Sequence, residues 1–332
     1  MRLAGSTVRF HLTLGLLGGL YVALIVAMLL ADLKFTSLEH VENALASPPI
    51  RYAIKLSLVS CFVTTILSLW VAVPLGYLMS RTRFYGMPII DTILDIPVVL
   101  PPLVIGLSLL ILFQTDAGNW VEHNTQYRMG RILTYGAIPV ALAATAWFVV
   151  GRNLSAEVGW SIPAGVAIGT AAILASTGLG PSLNIELQAR FGTPITYAIP
   201  SVILAQFSVS AAFAVRTMRV TFDQISPRTE QVALTLGCTR SQAFWMVSVP
   251  EAGRGIVSAA CIAWARALGE FGPIIVFAGA TRMRTEVLST TVFLELNIGK
   301  MESAIAVSLL MVVVAVFVLL LMRGFGLRNS SV

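Results

Sequence analysis

Six apolar runs of about 20 residues each follow one another along this chain, and each is as long as a helix needs to cross roughly 30 Å of hydrocarbon. They are Leu12–Ala31, Ile54–Met79, Ile93–Phe113, Tyr197–Val215, Gly255–Ala280 and Ala304–Met322. No soluble core needs that many. Composition agrees: 57% of residues are hydrophobic and 11% charged, with a mean hydropathy of +0.85. Soluble domains carry about 25% charged residues. The expected fold is an all-α polytopic membrane bundle of six core spans, with room for an extra helical pair. The first run, preceded by Arg2 and Arg9, is too long for a signal-peptide core and lacks a small-x-small cleavage pattern. It reads as a retained span.

Several function classes fall away at once. The net charge of +6 is scattered rather than gathered into a basic stripe with interleaved aromatics, so nucleic acid is not an expected partner. Cys61, Cys238 and Cys261 show no CxxC spacing, and His11, His40 and His123 show no metal-ligand spacing. No metal site is expected. A nucleotide-binding GxxxxGK[ST] is also missing, because Gly299-Lys300 runs into Met301 and lacks the upstream glycine. Neither a bound cofactor nor a catalytic constellation is expected on this chain.

Basic residues near span ends orient the bundle. With the N-terminus inside, Arg2, Arg9, Arg81, Arg83, the stretch from Arg216 to Arg254, Arg323 and Arg328 fall on the cytoplasmic face. The chain divides into an N-terminal span and external loop (1–49), a first core part (50–113), an insert (114–195), a second core part (196–325) and a tail (326–332). The insert carries two short Ala- and Gly-rich stretches, Ile138–Val150 and Ile162–Ala175. The alternatives are a pair of crossings, a re-entrant placement and packing against the rest of the domain. The third span opens on Asp91-Thr-Ile-Leu-Asp95-Ile-Pro97-Val-Val-Leu-Pro101-Pro102, where each proline removes a backbone donor. Such breaks survive in a bilayer only where protein or water satisfies the freed groups. The alternatives are a kinked packing helix and a bent helix lining a pathway.

Residues 219–253 form a polar loop between two spans. Within it, Glu230 opens a helix-compatible run to Leu236, Gly237 lets the chain turn, and a second run covers Arg240–Val247 before Pro250. A surface helix exposing Leu234, Thr235, Gly237 and Arg240 suits insertion into a partner's cleft. Counting outward from Gly237 gives Gln231-Val232-Ala233, three residues, Gly237, nine residues, then Val247-Ser-Val249-Pro250. This resembles the E-A-A, three residues, G, nine residues, I-x-L-P loop of ABC importer permease subunits. Every spacing matches. Gln231 stands at the motif's glutamate, Val232 at its first alanine, and Glu230 lies one position earlier.

The next span contains Trp264-Ala-Arg266-Ala-Leu-Gly269-Glu270-Phe271-Gly272-Pro273, similar to the ARALGEFG segment of the molybdate, tungstate and sulfate permease group. The proline-rich third span resembles the same group. Arg266 and Glu270 are four apart on one helix face and can compensate each other, while Gly269, Gly272 and Pro273 point to a break or a close helix approach.

The resemblance implies an ATP-driven importer for a tetrahedral oxyanion, molybdate or tungstate ahead of sulfate or thiosulfate. It implies a separate ABC ATPase carrying ATP and Mg, an extracytoplasmic substrate-binding protein, a second permease copy and lipid as partners, in the cell's inner (plasma) membrane. The ATPase-docking residues would be Glu230, Gln231, Ala233, Leu234, Gly237, Arg240 and Pro250. The pathway or gating candidates are Pro97, Pro101, Pro102, Arg266, Glu270 and Gly272. A permease for another small solute, a secondary transporter and a membrane scaffold that recruits a cytoplasmic partner remain as other classes. No internal repeat of the kind common in secondary transporters is visible.

Overall fold

The structure, a computed structural model, describes residues 2–82, 85–132, 134–135, 138–139, 142, 156–176, 181–186 and 192–328. Long helices follow in chain order: α1 (Arg2–Phe35), α2 (Leu38–Ala46), α3 (Pro48–Arg81), α4 (Met87–Val99), α5 (Pro102–Gln114), α6 (Asp116–Ile132), α7 (Ala156–Ser176) and α8 (Ile199–Gln224). After them come α9 (Pro227–Thr235), the short α10 (Arg240–Ala243), α11 (Gly253–Leu268), α12 (Gly272–Phe277), α13 (Leu288–Asn297) and α14 (Met301–Arg328). No strand occurs among the described residues.

Among the described residues four helical stretches are long and apolar enough to cross a membrane: Gly15–Phe35 within α1, α3, α8, and Met301–Leu320 within α14. The third expected span is two helices, α4 and α5, bent by 112° at a break. Pro97 stays inside α4, and the chain breaks at Leu100-Pro101, with Pro102 opening α5. The fifth expected span is also divided, α11 ending at Leu268 and α12 starting at Gly272. In the insert, Ile162–Ala175 falls within α7, and Ile138–Val150 lies almost wholly outside the described residues.

At 34 residues α3 is about 51 Å long, well beyond the hydrocarbon thickness. Its end can therefore carry contacts in water.

The chain forms two compact units. The larger comprises 1–105, 203–275 and 279–332. Its core has two clusters. Cys61, Trp264, Ala267, Leu268, Leu288 and Val307 belong to one, and Ala72, Met79, Ala214, Met218, Phe222 and Ala259 to the other. Polar side chains are buried between α3 and α8 as well. The Thr64 hydroxyl reaches Gln206 Oε1 at 3.2 Å, Gln206 Nε2 donates to the Ala267 carbonyl at 3.1 Å, and Ser68 and Ser210 hydroxyls lie 3.3 Å apart. Interhelical bonds of this kind contribute about 0.6 kcal/mol each in a bilayer. Together they fix helix register more than they add stability.

The smaller unit comprises 106–202 and 276–278. Phe113 packs on Phe277, ring centroids 5.4 Å apart, and the Tyr197 amide donates to the Phe277 carbonyl at 3.4 Å. The Thr196 hydroxyl donates to Glu122 of α6.

Candidate functional site

The polar loop is built by local chemistry at each turn. Ser226 caps α9 by accepting from the Arg228 amide, and Pro227 occupies the first turn, where a missing N–H costs nothing. The helix ends in paired backbone bonds: Cys238 N–H to the Ala233 carbonyl at 3.1 Å and Gly237 N–H to the Leu234 carbonyl at 3.1 Å. This is a Schellman ending, and it requires a left-handed residue between the two helices. Gly237 supplies it with φ +93°. Thr239 then caps α10, its hydroxyl accepting from the Gln242 amide while Gln242 Oε1 accepts from the Thr239 amide at 2.8 Å. One π-helical turn, Phe244–Ser248, leads to Pro250 and α11.

Glu230 is turned inward. Its carboxylate accepts from the Tyr77 hydroxyl, lies 3.6 Å from Arg81 Nε, and accepts from the Ser248 hydroxyl at 3.3 Å. The Arg81 and Glu230 side chains are only 13% and 14% exposed. Arg81 also donates to the Ile225 carbonyl at 2.9 Å. Tyr77 packs edge-on against Phe222 (5.5 Å) and Phe244 (4.6 Å). Glu230 thus ties α9 and the π turn to the end of α3. Gln231 is exposed, as are Gly237, Arg240 and Pro250, while Leu234 is half-buried and Ala233 buried. The loop's outer face also presents Val232, Leu236 (80% exposed), Trp245 (64%) and Met246. Tyr77, Arg81 and Ser248 escaped sequence reasoning as a cluster, since Tyr77 and Glu230 lie 153 residues apart.

A second polar cluster joins α4 to α8. Asp91 pairs with Arg219, and Asp95 with Arg216. Asp91 and Asp95 are one turn apart on α4, and Arg216 and Arg219 one turn apart on α8, so both pairs form in one register. They line a cavity of about 270 Å³ with Met79, Leu94, Ala212 and Val215. The side chains are a third to a half exposed, so each pair adds little stability in water.

The two helix breaks meet. A Cβ built on Gly272 would lie 2.8 Å from Pro102 Cβ and 3.0 Å from Leu103 N. Pro101 and Pro102 are exposed. Beside this crossing Arg266 Nη2 lies 3.5 Å from Glu270 Oε2, with the arginine 43% exposed and the glutamate 3% exposed. The Phe213 ring sits 4.9 Å from the guanidinium carbon.

Beyond α12 a third cluster surrounds Glu286, which is fully buried. Its Oε1 accepts from Thr291 at 3.1 Å, and neighbouring Arg282 bonds Glu295 at 2.6 Å. Burial pushes the Glu286 carboxyl above the usual carboxylate range and Glu295 adds to this. The Thr291 hydroxyl, Arg282 and the Met283 amide oppose it.

Among the described residues no group of three or more His, Cys, Asp or Glu could hold a metal ion.

With this geometry in place, residues 72–330 match the family described as the binding-protein-dependent transport system inner membrane component. The chain belongs to that family. Its relatives include the sulfate transport system permease protein CysT of Escherichia coli, 26% identical over 284 residues, covering 84% of this chain and 78% of the relative. The molybdenum transport system permease protein ModB of Mycobacterium tuberculosis is 27% identical over 285 residues, covering 86% and 82%. The molybdate/tungstate transport system permease protein WtpB of Thermococcus kodakarensis is 24% identical over 258 residues, covering 78% and 72%. Among solved structures, a bacterial ABC transporter involved in the import of alginate superposes with a TM-score of 0.61 at 16% identity, covering all of both chains. The same kind of transporter with its alginate pentasaccharide-bound periplasmic protein gives 0.60. These likenesses at low identity establish the fold. This permease is a multi-pass component of the inner membrane.

Proposed function

We propose that this ABC importer permease carries a tetrahedral oxyanion, with molybdate or tungstate ahead of sulfate. The observation that carries the reading is the sequence likeness: relatives over more than three quarters of the chain are named for sulfate, molybdenum or molybdate/tungstate transport. An extracytoplasmic binding protein delivers the anion, and two permease copies enclose its pathway. ATP and Mg stay on a separate ATPase pair. The N-terminus lies in the cytoplasm, which puts loop 219–253 there as well.

The loop is the ATPase-docking element. Its inner side is fastened to α3 through Glu230, and its outer side offers Val232, Leu236, Gly237, Arg240 and Trp245. Exposed apolar side chains on a water-facing loop are costly unless a partner covers them. To switch the pathway the loop must bind the ATPase differently in its two states, since only differential affinity shifts an equilibrium. The α4–α5 and α11–α12 breaks, with Pro97, Pro101, Pro102, Arg266, Glu270 and Gly272, form the moving part that lines the pathway.

Uptake of ⁹⁹Mo-molybdate by cells expressing the permease with its ATPase and binding protein tests the assignment. The expectation is ATP-dependent uptake that tungstate competes away at equimolar concentration and sulfate only in large excess. The reverse competition order makes sulfate the cargo. Uptake of neither anion sinks the oxyanion assignment.

A further inference from the structure

The α11 helix has two sharply different faces. Ala259, Ala260, Ala263, Trp264, Ala267 and Leu268 are buried against the bundle. The exposed face carries Arg254, Ser258, Ile262, Arg266 and Gly269, spaced by four, four, four and three residues. That spacing makes one continuous stripe along the helix. Arg254 stands at its start, and Arg266 lies about 18 Å farther along; with Gly255–Ala280 read as a span, that is near the middle of a roughly 30 Å hydrocarbon core. A guanidinium exposed at that depth does not face lipid. Ionisable groups there face a water-filled cavity or protein.

The Arg266 side chain is 43% exposed, so its neighbours leave part of it open. Glu270 is almost wholly buried and holds Arg266 Nη2 from behind at 3.5 Å. The Phe213 ring stands at one side of the guanidinium. One carboxylate at that distance leaves most of the five guanidinium donors for another ligand. Planar, fixed donors of this kind match the oxygens of a tetrahedral dianion.

We propose that Arg266 is the cation a transported oxyanion meets inside the pathway, and that the α11 stripe from Arg266 through Ser258 to Arg254 forms its wall toward the cytoplasm. Glu270 is a positioning residue with a second effect. It fixes the guanidinium and offsets part of its charge, so the anion binds firmly enough to enter and weakly enough to leave. The inference rests on the oxyanion reading above for the identity of the cargo, but not for the position of the cation.

The test is the reaction of Ile262→Cys, one turn from Arg266, in inverted membrane vesicles holding the whole transporter. Cys238 and Cys261 are replaced by alanine to clear the background. The probes are two methanethiosulfonates, one carrying a sulfonate and one a trimethylammonium group. Both are expected to react, the anionic reagent having the advantage. Arg266→Gln is expected to lower the anion-to-cation rate ratio about tenfold, as loss of a unit charge several ångströms away dictates. Arg266→Lys is expected to preserve the ratio, and Glu270→Gln to raise it. A merely structural pair would not move the ratio in opposite directions.

An unreactive Ile262→Cys, or a ratio unchanged by Arg266→Gln, overturns the proposal. Uptake of ⁹⁹Mo-molybdate and ³⁵S-sulfate by the parent cells separates the two levels. Uptake of either anion with an unmoved ratio removes Arg266 from the pathway and leaves the cargo reading standing. A shifted ratio with neither anion taken up keeps Arg266 as the pathway cation and removes the cargo reading.

Discussion

Glu230→Ala is expected to reduce ATP-dependent uptake by more than about tenfold while the chain still inserts, because the loop loses its fastening and not its membrane spans. The carboxylate compensates Arg81, itself only 13% exposed, and accepts from Tyr77 and Ser248. Removing one partner of a buried pair leaves the other charged and unpaired, at a cost of about 3 kcal/mol. That is larger than most point substitutions and falls on one loop. Adding Gln231→Glu to the same chain is expected to restore nothing. Gln231 is exposed, whereas Glu230 and Arg81 are largely buried together. Uptake normalised to the membrane-inserted protein, measured by immunoblot, checks both statements. Rescue by Gln231→Glu would show that the acid acts at the loop's surface rather than beneath it.

Gly237→Asp is expected to abolish coupled uptake and to leave membrane insertion intact. The position has φ +93° and open space around the site of a Cβ, so no neighbouring side chain has to move. The cost is conformational, about 1–2 kcal/mol for a residue with a Cβ in the left-handed region. A carboxylate at the C-terminal end of α9 adds about 0.3–1 kcal/mol through the helix dipole. Neither contribution unfolds a membrane bundle, but together they re-aim Leu236 and α10, the parts the partner must grip. Gly237→Asn is neutral and enters the left-handed region more readily. It is expected to retain more uptake than Gly237→Asp, and equal loss in both would place the effect in side-chain bulk alone.

Much of the bundle was legible because apolar runs of membrane length leave few other folds. Gly237 was legible for a similar reason. A turn between two helix-compatible runs needs a left-handed residue, and glycine takes that conformation without strain. The Thr239–Gln242 capping box came only from the fold. The 112° bend at Leu100-Pro101 was not legible in degree, since prolines mark where a helix stops and not the direction in which the next one leaves. The inward turn of Glu230 was hidden for another reason. Motif spacing puts Gln231 at the signature position, and only the placement of Tyr77 and Arg81 shows which neighbour faces the bundle. The Asp91–Arg219 and Asp95–Arg216 pairs were likewise beyond reach, because each joins residues more than a hundred positions apart. Arg266 and Glu270 were different. Their four-residue spacing announced a pair, while the exposure of one and the burial of the other came only from the fold.

The outer face of loop 219–253 is proposed to dock on an ATPase. A photoreactive benzoylphenylalanine in place of Leu236, the most exposed apolar side chain of the loop, tests it most directly. Irradiation of membranes holding the whole transporter is predicted to join this chain to the ATPase subunit, with the yield changing when ATP is added. The same probe in place of Val313, on the apolar exposed face of α14, is predicted to give no such product. Full uptake with no ATPase adduct from position 236 would contradict the claim.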